Sequence, residues 1–565
     1  MRNILSINPI GHDTSACLMI SSEIVAACEQ ERYTGDKHSR LFPTDAINDC
    51  LKIGKITISD IDLICIPWIP QLMIREFYLK PAIVSDARLN FLRKDYNRIE
   101  ELFSLKEVIK TKLNYSGEVV FLNHHECHLA SSYYSSGFKD PLLISYDGCG
   151  EIDTMAIGVI ENGNIITKIN NNKYPNSLGL LYSAVTNFLG WQYACDEGIV
   201  MGLASIGDPF AIIPNSKISY IQFFREAVLN EDDFQFQLQM PKFLNFYEKR
   251  DVWVGDYFFK LMGPKRKKND EITSHHANIA AGLQLRIEEV ILKNLKNAKK
   301  QFNKKTLCIS GGVGLNCTLN GKIASAKIFD EIFVVPPSGD TGVTVGACYL
   351  GNNKNIIKKR HNFYLGSRYT DDEVCEELLK SKQKFEKPLD LFDTTAKYLF
   401  EGKIIGWFQG ATEYGPRALG NRSILTKPFP LEMKDYVNNQ VKFRESFRPF
   451  APAVLEEYKN IYFDIEQSSP HMLMAVKAKP EKKVNIAATV HDDNSSRVQT
   501  VSKLNNSRFY QLIKSFYEIS DIPVLLNTSF NVKGQPIVNT PKQAIETFLN
   551  TKIDVLVIHD YILTK

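Results

Sequence analysis

The sequence predicts an α/β protein of two domains, the first of them built twice on one plan. Three observations carry this. The chain has 565 residues, more than one hydrophobic core accommodates. An apolar strand, a polar glycine-containing loop and a hairpin follow one another near the N-terminus and again from residue 142. After residue 364, apolar strands alternate with amphipathic helices.

Composition narrows the class. Hydrophobic residues make up 44% and charged residues 23%, ordinary values for a soluble globular protein. A net charge of +4 gives no argument for a nucleic-acid partner. No apolar run approaches the ~18 residues of a membrane span, and Asn3–Asn8 enters a strand without the features of a signal peptide. A cytoplasmic protein without membrane association is expected. The eleven cysteines are scattered and form no Cys-x-x-Cys pair, which argues against a disulfide framework or a zinc module. They are expected to be packing residues, Cys127 and Cys149 included.

In chain order, the first copy of the repeat is a strand over residues 3–8, the turn Asn8-Pro9-Ile10-Gly11-His12-Asp13-Thr14-Ser15, and strands at 16–20 and 24–28. The second copy is a strand over 142–146, the loop Asp147-Gly148-Cys149-Gly150-Glu151, and strands at 155–160 and 165–169. The region between the copies reads as mostly helical, including 44–53 and 92–112. Charged residues after the first hairpin, from Glu29 to Arg32 and at Lys37 and His38, either line a cleft or lie on the surface. Ser177–Val185 starts an amphipathic helix. The small residues of Glu197–Ser205 indicate close backbone packing or a substrate-facing loop. Lys265–Lys268 reads as a solvated loop, and residues 274–300 as a long helix. Residues 1–350 are expected to form the first domain, 351–363 a linker, and 364–565 the second. Strands are expected there at 404–408, 451–455, 524–526 and 555–558, and helices at 394–400, 508–518 and 541–549.

Three stretches carry chemistry. In Asn123-His124-His125-Glu126-Cys127-His128, Asn123 is a helix N-cap, and His124 and His128 are four residues apart on one helix face. Such a pair is either hydrogen-bonded or a metal site. Asp147 and Asp340, each just past a strand, supply the carboxylates that favour metal. His125 points elsewhere. The strand ending at Ser310 runs into Gly311-Gly312-Val313-Gly314-Leu315-Asn316, a turn and helix start suited to a phosphate or nucleotide. The third stretch runs from Glu413 to Ser423 and on through Lys442 to Pro449. Residues 406–450 hold seven Lys or Arg against four Asp or Glu. These cations lie among turn-forming residues, a setting that favours phosphate or carboxylate contacts and competes with a plain basic surface.

The twofold plan resembles actin-like ATPases and sugar kinases, the ASKHA fold of duplicated RNase H-like subdomains. Over essentially the whole chain, from Gly11-His12-Asp13 to Pro536-Ile537, the sequence resembles the NodU-type O-carbamoyltransferases of antibiotic and nodulation-factor tailoring. Tyr414–Leu425, Lys442–Pro452 and Asn527–Asn531 are the most specific pieces. The resemblance implies an actin-like carbamoyl-transfer domain followed by a threonylcarbamoyl-AMP synthase-like α/β domain that makes carbamoyl-adenylate from carbamoyl phosphate and ATP. It implies that His124, His128, Asp147 and Asp340 bind Fe2+ and that His12 is the base for the acceptor hydroxyl. Gly311, Gly312 and Asn316 would hold the adenylate. Arg417, Arg422, Lys442, Arg444, Arg448 and Arg497 would hold carbamoyl phosphate and ATP, with Mg2+ accompanying ATP. The acceptor would be a hydroxylated small molecule, a sugar or a natural product of secondary metabolism. Ile199 and Asn176 depart from the family's usual Lys and His and put the acceptor pocket in question. Oligomeric state is open, a homodimer being one option. The alternatives are a tRNA-directed carbamoyl or threonylcarbamoyl transferase, a hydrogenase-maturation carbamoyltransferase, and a non-catalytic actin-like ATPase.

Overall fold

The computed structural model describes residues 2–230, 234–352, 360–445 and 447–565. Most of the expected linker, residues 353–359, lies outside the described residues.

β1 (Ile4–Asn8), β2 (Ser15–Ile20) and β3 (Glu23–Glu29) form the first antiparallel meander. β4 (Leu63–Ile66) and β5 (Glu118–Phe121) add in parallel beyond β1. The sheet order is β3-β2-β1-β4-β5. The second copy repeats it. β6 (Leu142–Tyr146), β7 (Met155–Glu161) and β8 (Asn164–Ile169) form the meander. A small hairpin of β9 (Val228–Asn230) and β10 (Phe236–Leu238) follows. β11 (Thr306–Ser310) and β12 (Glu331–Val334) then add in parallel beyond β6, giving the order β12-β11-β6-β7-β8. This shared five-strand topology makes the duplication actin-like. The central strands β1 and β6 are buried along their whole length, as strands covered on both faces must be.

The region between the copies is not only helical, because it supplies β4 and β5. Nor are residues 92–112 one helix. The chain turns at Asp95 and Ser104, whose ψ of 14° and 10° leave the helical range, and three helices result, Asp86–Lys94, Tyr96–Phe103 and Leu105–Leu113.

Two helices join the sheets. His124–Ser136 packs on β6, β7 and β11, and Val343–Asn352 packs on β1, β2 and β4. They cross closely at Gly346, where a Cβ would stand 1.8 Å from the Cys127 carbonyl oxygen. The second sheet is also backed by the long helix Ser274–Phe302, whose apolar face of Ala277, Ala280, Leu283, Ile287, Val290 and Ile291 is buried.

The C-terminal part centres on a seven-stranded mixed sheet among the described residues. Its strands begin with β13 (Ile405–Phe408), β14 (Arg422–Thr426) and β15 (Ala451–Leu455). A separate hairpin of β16 (Ala475–Lys477) and β17 (Ser495–Arg497) follows. β18 (Gln499–Val501), β19 (Val524–Ser529), β20 (Val555–Ile558) and β21 (Tyr561–Thr564) complete the sheet, in the order β18-β15-β19-β14-β13-β20-β21. β14 lies in the stretch read as rich in turn-forming residues, and it is a strand because β13 and β19 pair with its main chain on both sides. No helix among the described residues is long and apolar enough to cross a membrane.

Candidate functional site

The site starts with the helix His124–Ser136. Asn123 caps it, accepting the Glu126 N–H at 3.0 Å. His124 and His128 then share one face, both fully buried, with Nε2 atoms 3.1 Å apart. Asp147 leaves β6 and Asp340 follows β12, so both carboxylates come from strand ends of the second sheet. His124 Nε2 lies 3.5 Å from Asp147 Oδ2 and 3.5 Å from Asp340 Oδ1. His128 Nε2 lies 3.8 and 3.9 Å from the same atoms.

Surrounding groups fix three of these four, while His128 Nδ1 is buried without a partner. His124 Nδ1 donates to the Pro67 carbonyl at 3.2 Å, which leaves Nε2 as the ligating nitrogen. The Trp68 ring lies against His124 at 3.9 Å. Trp68 Nε1 donates to Asn8 Oδ1, and Asn8 Nδ2 donates to the Asp340 carbonyl. The Gly312 N–H donates to Asp147 Oδ1 at 2.7 Å. His125 points away, between Ser145 Oγ and the Asp153 carbonyl, and burial pushes its pKa down to about 3.

The donor set fits a metal ion. Two imidazole nitrogens and two carboxylates suit divalent first-row ions better than thiolate-seeking ones. Their separations match those around ions with bonds of about 2.0–2.2 Å. Burial opposes protonation of His124, yet the hydrogen bonds and charges of Asp147 and Asp340 push its pKa up to about 10. Asp147 is buried, but the two histidines hold it well below the usual carboxylate range. The pocket is built to hold positive charge.

A second cluster stands at the His12 turn. Asp13, with φ of 60°, offers one carboxylate oxygen to His12 Nδ1 at 2.6 Å and the other to His38 Nδ1 at 2.7 Å. Burial lowers both imidazole pKa values, but Asp13 outweighs it and pushes His12 up to about 9 and His38 up to about 11. The Lys37-His38 segment does line the cleft; of the residues after the hairpin, Glu29, Glu31 and Arg32 do so too.

Asp147, Asp340, His12, Asp13 and His38 line one cleft of about 1690 Å³, with His124 and His128 buried behind the two carboxylates. Its other wall is cationic. Arg417, Lys442, Arg444, Arg448 and Arg497 line it. Burial, and then mutual repulsion, lowers the pKa of Lys442 and Arg444, and burial and Arg497 bring Arg417 down to about 9. Lys442 Nζ is aimed by Ser529 and Asn531, at 2.8 Å from the Ser529 carbonyl and 2.7 Å from Asn531 Oδ1. Arg417 Nε is buried without a partner. Cations gathered in this way have the chemistry to attract an anion.

Several expected residues stand elsewhere. Arg422 does not line the cleft. Its guanidinium lies 3.6 Å over the Phe408 ring, and its two terminal nitrogens donate to the carbonyls of Gln409, Gly410, Asn421 and Ser367, away from the cleft. Gly311 also lies behind the cleft. Its φ of 83° and a Cβ position 2.2 Å from the Tyr146 carbonyl oxygen show a residue that brings two strands together. Gly312 and Asn316 line the cleft. Asn316 caps the helix Cys317–Ser325 and exchanges hydrogen bonds with Gln284. Arg266, expected in a solvated loop, is buried, stacked on Trp191 and bonded to the carbonyls of Leu189 and Asp270. Ile199 lines the cleft, whereas Asn176 turns away and accepts the Leu238 N–H. Glu197–Ala204 is a helix, with Gly198, Met201 and Gly202 on the cleft. Sequence reasoning missed Trp68, Asn8 and the pairing of His38 with Asp13. The adjacency of Lys37 and His38 was the available signal for the last.

Comparison with known proteins identifies the family. The family model described as Carbamoyltransferase N-terminus matches residues 3–349, and Carbamoyltransferase C-terminus matches 396–565. The nodulation protein NolNO of Sinorhizobium fredii is 33% identical over 99% of this chain and 80% of its own. The 3'-hydroxymethylcephem-O-carbamoyltransferase of Streptomyces clavuligerus is 31% identical over 61% of this chain and 60% of its own. An uncharacterized protein of Synechocystis sp. is 35% identical over 100% of this chain and 97% of its own. Among solved structures, full-length HypF in the phosphate- and nucleotide-bound form gives a TM-score of 0.36 at 11% identity, covering 63% of this chain and 56% of that one. The chain therefore belongs to the NodU-type carbamoyltransferase family and is a carbamoyltransferase.

Proposed function

We propose that this carbamoyltransferase works in two steps, making carbamoyl-adenylate on residues 364–565 and passing the carbamoyl group to a hydroxylated small molecule on residues 1–350. The observation that carries this reading is the single cleft with a buried two-histidine, two-carboxylate pocket on one wall and five cations on the other.

In the first step carbamoyl phosphate, ATP and water give carbamoyl-adenylate, phosphate and pyrophosphate. Several anions meet at one place, so the step needs concentrated cations. Arg417, Lys442, Arg444, Arg448 and Arg497 supply them, with Mg2+ accompanying ATP. Gly312 and Asn316 border the path of the adenylate toward the first domain. In the second step the acceptor hydroxyl loses its proton to His12 Nε2, while Asp13 holds the ring through Nδ1. His124, His128, Asp147 and Asp340 would hold Fe2+, which when bound supplies a Lewis acid for the carbamoyl carbonyl. The acceptor is a sugar or natural product in this reading, and the reaction belongs to secondary metabolism in the cytoplasm.

The test omits the acceptor. Protein, ATP and carbamoyl phosphate should release pyrophosphate and accumulate carbamoyl-adenylate. Pyrophosphate release that does not depend on carbamoyl phosphate would sink the reading.

A further inference from the structure

We propose that Tyr414 is a positioning residue through which the C-terminal part of the chain sets the two loops of the transfer centre; this rests on the metal reading above. Tyr414 lies in the turn after β13 and is 1% exposed. Its hydroxyl donates to the Thr341 carbonyl at 2.5 Å and lies 2.8 Å from Thr344 Oγ1. The same carbonyl accepts from Thr344 Oγ1 at 2.8 Å and from Ser15 Oγ at 3.4 Å. Thr341 follows the metal-pocket residue Asp340, and Ser15 follows the His12-Asp13 pair by two residues. Three hydroxyls thus meet on one carbonyl at the crossing of the two loops, and one of them comes from the other end of the chain.

The turn that carries Tyr414 is itself held firmly. Glu413 Oε1 accepts the N–H groups of Leu419, Asn421 and Arg422 at 2.7, 2.8 and 3.2 Å. The buried Arg32, paired with Glu29 at 2.5 Å, donates to the Gly415 carbonyl at 2.8 Å. Three residues after Tyr414, Arg417 joins the cationic wall. One short turn therefore ties the anion site to Asp340 and to the His12 loop. Packing alone would need only the ring of Tyr414, whereas positioning needs its hydroxyl. Hydrogen bonds made directly to metal ligands change metal affinity about 10- to 100-fold, and a bond to the carbonyl beside a ligand belongs at the low end of that range.

Tyr414→Phe separates the two roles, because it keeps the ring and removes the hydroxyl. Wild type and variant are titrated with Co2+ as the probe, followed by visible absorption, and amide exchange is read over 12–16 and 338–344. We expect Co2+ affinity to fall about 10-fold, altered absorption bands, and faster exchange in both segments, with the global melting temperature little changed. Ser15→Ala, which removes the longest of the three bonds, should shift the same readouts less. Wild-type affinity, spectrum and exchange in Tyr414→Phe would overturn the proposal. If the wild type takes up no Co2+, the metal reading fails by itself and the exchange comparison decides the role of Tyr414. Should Tyr414→Phe fail to fold, Thr344→Val removes another donor to the same carbonyl, and an unchanged exchange pattern there overturns the proposal equally.

Discussion

His128→Ala tests the division of labour most directly. The side chain is fully buried, and its Nε2 faces His124 Nε2 at 3.1 Å and the two carboxylates at 3.8 and 3.9 Å. Truncation leaves three donors where four converged. Lewis-acid stabilisation is worth several kcal/mol, and about 3 kcal/mol corresponds to roughly a 100-fold change in rate. Carbamoyl transfer should therefore fall at least about 100-fold. The residue touches none of the five cations that line the other wall, so carbamoyl-phosphate-dependent pyrophosphate release should stay within about twofold, which is less than about 0.5 kcal/mol. The cavity left by the ring costs stability, on the order of 2–4 kcal/mol for a truncation of this size, so a melting curve must show that the variant is folded. Pyrophosphate release is measured without acceptor. Transfer is measured with whichever hydroxyl compound the wild-type protein carbamoylates in a screen of sugars and natural-product cores. Equal loss of both steps in a folded variant would refute the separation.

Three further outcomes follow from the geometry. Arg448→Met removes one charged donor from the anion wall, so kcat/KM for carbamoyl phosphate in pyrophosphate release should fall about 10- to 150-fold. The ligand-free protein should lose no stability, because Arg448 lowers the pKa of Arg444 and Lys442 by repulsion; a lower melting temperature with unchanged kinetics would contradict this. Arg422→Met should do the reverse, costing on the order of 3 kcal/mol in a thermal or urea melt while KM for carbamoyl phosphate in the folded fraction stays unchanged. For the pH dependence, His12 acts as a base only when deprotonated, and its pKa is pushed up to about 9. Single-turnover transfer from preformed adenylate should thus rise with pH through an inflection near 9 and level off above it, and Asp13→Asn should move the inflection downward, since Asp13 contributes most to raising it. A flat profile below pH 9 would remove His12 from the role.

What the sequence determined by itself is local. Alternation and turn residues located most strands, including the two meanders whose repetition marks the duplication. Four-residue spacing placed His124 and His128 on one face, Asn123 marked the start of their helix, and strand ends marked Asp147 and Asp340. Each of these readings depends on a few neighbouring residues, which is why it survives without a fold. The short strands β4, β5 and β14 were less legible. β4 and β5 are isolated among helices, and β14 opens with a buried arginine, so their identity depends on the strands they pair with.

Only the tertiary structure decided which of the expected anion-binding residues reach the cleft. Arg417 and Arg422 are five apart in one motif and look alike in composition. Arg417 lines the cleft, whereas Arg422 lies behind it with its terminal nitrogens on four main-chain carbonyls. Glycine residues 311 and 312 divide in the same way, one serving strand packing and the other holding Asp147. The meeting of Ser15, Thr341 and Tyr414 joins positions hundreds of residues apart. No local pattern encodes such a contact, because it exists only once the duplicated sheets and the C-terminal turn have packed together.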